Sequence, residues 1–143
     1  MTDIELVRAF EDASLSGELF DHTAHVRVGW WYVTHHSIDE AIERFSASLR
    51  GFAAAQGAAE KYHQTMTVAW LLIIAERVAD SEGLAWPAFA ARHLDLLTNR
   101  PSILSHYYSV EMLQSSRARQ TFMLPDRLPS PPGWRDRSGG TLA

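Results

Sequence analysis

Cysteine is absent from the 143-residue chain, which excludes disulfides, thiolate catalysis, Cys-bearing zinc sites and Cys-ligated iron–sulfur clusters. No apolar run is long enough to span a bilayer; the most apolar stretch, residues 66–75, is about half the length required. An excess of positive charge is missing too. Thirteen Lys and Arg face 17 Asp and Glu, for a net charge of −4, and no basic face marks a nucleic-acid partner. The opening Met1-Thr2-Asp3-Ile4-Glu5 is acidic, where a secretory signal needs a basic and then an apolar segment, so a cytoplasmic protein is expected. With 46% hydrophobic and 21% charged residues the chain has ordinary globular usage, and its length suits one domain. Two residue types stand out for so short a chain: 7 His and 5 Trp.

Apolar residues recur at the helical period throughout, and no segment alternates as a strand would. The expected fold is all-α, a compact bundle of four principal helices with short additional helices and a Pro-rich C-terminal tail. The helical domain spans residues 1–124 and the Pro- and Gly-rich tail spans 125–143, its end expected to be disordered. The principal helices fall at about 3–13, 19–35, 38–56 and 58–81. Ser37-Ile38-Asp39-Glu40 has the capping-box pattern, with Ser37 capping the third helix and Glu40 reaching back. The fourth helix is apolar nearly all round over 66–75, the mark of a central helix. A fifth helix opens at Pro87 and reaches about Leu97, a short piece follows over 102–106, and Ser109 caps a last helix to about Arg119.

The chemistry concentrates on the second and fourth helices. At 100° per residue His22, His25, Gly29 and His36 share one stripe. Gly29 lowers helix propensity by about 1 kcal/mol relative to Ala, which close helix approach or room for a ligand would explain. On the fourth helix Glu60, His63, Thr67 and Trp70 share a face. If the two helices pack together, His22, His25 and His63 converge. Three imidazoles with an open position suit a divalent transition metal: Zn, Fe, Cu or Ni. His106 or Glu60 would serve as fourth ligand or general acid/base, and Tyr62, Thr67, Arg119 and Arg27 would bind or orient a substrate. Ordinary structural roles compete at every position. Acidic residues such as Glu60 are favoured in a first helical turn, a helix-terminal Arg is favoured by the dipole, and His93 fits the end of the fifth helix as a partly protonated side chain.

The pattern Phe20-x-His22-x-x-His25-x-Arg27, Lys61-Tyr62-His63-x-Thr65-x-Thr67-x-x-Trp70, His106-Tyr107-Tyr108-Ser109 and Ser115-x-x-Ala118-Arg119 resembles a group of small helical bacterial proteins of unassigned function. The likeness covers most of residues 18–128. It implies that these polar positions belong together and supplies no chemistry. A looser similarity to the DinB/YfiT-like three-histidine bundles extends to fold alone, because the histidine spacing differs. The leading expectation is a metal-binding enzyme acting on a small polar molecule. A metal-free acid/base enzyme or ligand-binding module, with His63 and His106 in an aromatic pocket, is the second. A homo-oligomeric interaction protein, to which an exposed Trp31 would point, is the third.

Overall fold

The protein, described here by a computed structural model over residues 1–127, is all-helical among the described residues. Helix α1 (Asp3–Glu11) starts from a complete capping box: the Thr2 hydroxyl accepts the Glu5 N–H, and the Glu5 carboxylate accepts the Thr2 N–H. Helix α2 (His22–His35) starts three residues later than its apolar pattern suggests, because the Asp21 carboxylate accepts the Ala24 N–H and fixes the boundary. Helix α3 (Ile38–Ala55) is capped by Ser37 as expected, but only half of the box forms. The Glu40 carboxylate lies instead between His36 and Arg44, each 3.6 Å away.

The fourth principal helix differs most from expectation. Residues Ala59–Lys61 form a 3₁₀ turn, Tyr62 and His63 are extended, and helix α4 (Gln64–Asp80) begins only afterwards. His63 is therefore the N-cap, its Nδ1 accepting the Met66 N–H at 3.1 Å. Glu60, His63 and Thr67 consequently do not share a helical face. Downstream, two expected helices are each divided. Helix α5 (Trp86–Arg92) stops at His93, whose non-helical backbone separates it from α6 (Leu94–Leu97). A 3₁₀ turn over Ile103–His106 precedes α7 (Val110–Gln114), capped by Ser109. Ser115 then adopts an extended conformation and caps a separate helix, α8 (Ser116–Gln120), through the Ala118 N–H. Residues 128–143, which hold most of the expected tail, lie outside the described residues.

Packing is organised around α2 and α4, the most extensively packed pair. Gly29 permits this approach. A Cβ at that position would meet Ile74 Cδ1 at 3.1 Å and Leu71 Cδ2 at 3.4 Å, so close helix packing accounts for the glycine. Two apolar cores flank the pair. One joins α1, α2 and α3 through Phe10, Val28, Tyr32, Phe45 and Phe52; the other joins α2 and α4 to the C-terminal helices through Trp30, Trp70, Ile74, Phe89 and Leu96. Leu72 on α4 stays exposed, so the most apolar helix is covered on most sides and not all. No helix among the described residues is long and apolar enough to cross a membrane.

Candidate functional site

The two cores leave a cavity of about 440 Å³ between the start of α2, the second half of α3 and the turn that leads into α4. His22, His25 and His63 all line it, together with Tyr62 and Thr67, so five of the residues singled out by sequence meet here. Phe20, Phe52, Met66 and Trp70 form its apolar wall, and Asp21, Lys61 and Asn99 contribute polar groups.

The three histidines are in different chemical states. His63 is buried and saturated: Nδ1 accepts the Met66 N–H, and Nε2–H donates to the Leu113 carbonyl at 2.7 Å. A metal could take either nitrogen only by breaking one of these bonds. His22 donates Nε2–H to the Leu96 carbonyl at 2.9 Å and sets its ring edge-on against Trp70. His25 stacks between Phe20 and Phe45, with ring centroids 5.2 and 5.5 Å away. Its Nε2 is buried with no hydrogen-bond partner among the described residues. Burial, and secondarily the neighbouring His22, pull its pKa down to about 4, which keeps the ring neutral at physiological pH. His25 also borders a second void of about 10 Å³, shared with His22, Val26, Trp70 and Ile74, at the lower limit for holding one water.

The neighbouring polar groups are partly committed. Thr67 Oγ1 donates to the His63 carbonyl at 2.7 Å, and the Tyr62 hydroxyl donates to Gln64 Oε1 at 2.6 Å. Arg50 donates to the same Gln64 oxygen and lies over the Tyr62 ring, 4.6 Å from its centroid. This arrangement fixes the Tyr62 wall from outside.

Other expected site residues lie elsewhere. Glu60 is exposed on the 3₁₀ turn, outside the cavity lining, and its backbone carbonyl accepts from Arg119 Nη1 at 3.2 Å. Arg119 thus ties α8 to the turn. Arg27 pairs with Asp3 and donates to the Met1 carbonyl, joining α2 to the start of α1. His106 borders a separate cavity of about 410 Å³ with Arg77, Asp95 and Tyr107, whereas His63 lines the 440 Å³ one, so the two do not line one cavity. His93 is buried, and burial followed by Arg77 lowers its pKa, which corrects the expectation of a partly protonated helix-end residue. Trp31, expected to be exposed, is half-buried against both cores and stacks on His35 at 4.2 Å.

Among the described residues no three His, Asp or Glu side chains are grouped as a metal site. Lys61 lies in the sequence pattern but was given no role there, and it lines the cavity. Its signal was available: it is the single lysine among 13 basic residues. Comparisons with protein-family models, with curated proteins and with solved structures find no match to this chain.

Proposed function

We propose that the protein binds a small molecule in the 440 Å³ cavity, with neutral His25 in its wall. The volume lies in the range of ligand pockets, and the lining, aromatic walls with a few polar groups, has the composition such pockets share. The observation that carries the reading is the unpartnered Nε2 of His25. Leaving a buried polar nitrogen unpaired costs about 1–3 kcal/mol, a cost that a bound water or ligand group removes. Recognition is favoured over acid/base catalysis. A base with a pKa near 4 is mismatched to neutral pH, whereas a neutral imidazole is well suited to hydrogen bonding in an apolar wall.

The test is a neutral-fragment screen read by backbone amide NMR shifts, on the protein and on Ala53→Trp, which fills the cavity from α3. Fragments should shift residues of α2 and of 58–70 in the parent protein and leave the filled variant unchanged. Equal binding by both proteins, or no fragment shifting these residues, contradicts the reading.

A metal-bound form is the second reading, favoured by the same unpaired nitrogen one turn from His22. His22 and His25 would hold the ion, with Zn, Fe, Cu or Ni as candidates, and His63 would join only by giving up Met66 or Leu113. Calorimetry with Zn²⁺ should then show one site, lost in both His22→Gln and His25→Gln. Absence of a stoichiometric site, or one that survives both changes, rules this form out.

A further inference from the structure

We propose that the ligand of this cavity is a planar organic anion, a carboxylate on an aromatic body, with Lys61 as the group that anchors the charge. The inference rests on the ligand-binding reading above and names the class of molecule.

Lys61 lies on the 3₁₀ turn at the cavity edge and is exposed. Among the described residues no carboxylate lies within ion-pair distance of its ammonium: the ion pairs found there are Arg27–Asp3, His36–Glu40, Arg44–Glu40 and Arg77–Asp95. The two arginines around the same turn are occupied by the protein itself, Arg50 by Gln64 and the Tyr62 ring, and Arg119 by the Glu60 carbonyl. Among the described residues around this turn, Lys61 is thus the cation left to meet an incoming charge.

The choice of lysine is informative in a chain whose other twelve basic residues are arginine. An ammonium on a four-carbon stem is a mobile point charge that follows a carboxylate, whereas a guanidinium imposes a fixed fork. Asp21 lines the same cavity, but its carboxylate accepts the Ala24 N–H at the start of α2. It disfavours an anion beside it, which leaves Lys61 as the group for the charged end. The body of the molecule then lies among Phe20, Phe52 and Trp70, whose rings favour a flat apolar partner. His25, being neutral, lines the same cavity without competing for the charge of that molecule.

Calorimetry on the full chain with 2-naphthoate, its neutral amide and a naphthyl trimethylammonium salt tests the proposal. Naphthoate should bind at least about tenfold more tightly than the amide, the scale of one charge-assisted hydrogen bond. Lys61→Gln should erase that preference and Lys61→Arg should retain most of it. Because Lys61 is exposed and has no ion-pair partner among the described residues, neither change threatens folding. Equal binding of naphthoate and amide, a preference unaffected by Lys61→Gln, tightest binding of the cation, or no binding by any probe each overturns the anion proposal. The neutral-fragment screen carries no charge bias, so a cavity that binds fragments but not naphthoate separates failure of this inference from failure of the binding reading.

Discussion

Two clusters of imidazole chemistry sit at opposite ends of α4, and they differ in how completely the protein satisfies them. At the far end of the helix His93 donates Nε2–H to Ser81 Oγ, Ser81 donates to the Arg77 carbonyl, and Arg77 donates both to His93 Nδ1 and to Asp95. Every nitrogen of that ring has a partner within the chain. At the near end His63 is equally saturated, whereas His25 keeps one buried nitrogen unpaired beside a cavity. A closed polar network rigidifies a fold, and one missing a partner is where a ligand gains most. Residue type alone does not distinguish the two clusters; the number of unpaired nitrogens does.

The comparison breaks most visibly at the saturated histidines. His63→Ala removes the cap of α4 and strands the Leu113 carbonyl, so chemical denaturation should show a loss of about 2–4 kcal/mol. A loss below about 1 kcal/mol would mean that His63 is not the structural member of the site. His93→Ala should cost about 1–3 kcal/mol by stranding Ser81 and Arg77 and leave fragment binding at the other cluster unchanged. If binding falls with it, the two clusters are coupled and the contrast between them fails.

Acid sharpens the contrast more gently. The folded-state pKa of His25, about 4, lies below the ordinary value of 6.5, so the folded protein takes up the proton later than the unfolded chain. The contribution of this group is complete above pH 6.5 and is lost as pH falls towards 4. His93 acts in the same direction. His25→Phe keeps a flat ring between Phe20 and Phe45 and removes the titration, so its stability should fall less steeply over that interval. Identical acid limbs in parent and variant would show that His25 is not held neutral.

Much of this arrangement is legible in the sequence, and the failures have physical causes. The stripe of α3 and the Ser37 cap are local, so they read directly, and the helical period brings His22 and His25 to one side. Convergence with His63 was foreseeable from the packing of α2 on α4, although the helix proposed to carry it does not begin until Gln64. An imidazole cap is rare beside Ser, Thr, Asp or Asn, which hid that boundary. Ser115 interrupts a helix through a local cap of the same kind as Ser37, whereas His93 interrupts one through a buried network assembled only in three dimensions. The position of His106 depended on how the C-terminal helices return, which no local pattern encodes. Lys61 belongs to the sequence pattern, but its role is not legible there, because a single exposed lysine carries no periodicity and its meaning depends on the cavity beside it.

The most direct test follows the imidazole nitrogens by ¹⁵N NMR while the strongest neutral fragment is added near pH 7. The account predicts that His25 is neutral from the outset and that its ring resonances move on binding, while those of His93, whose ring nitrogens both have partners, stay fixed. A charged His25, or His25 and His93 responding alike, would contradict it.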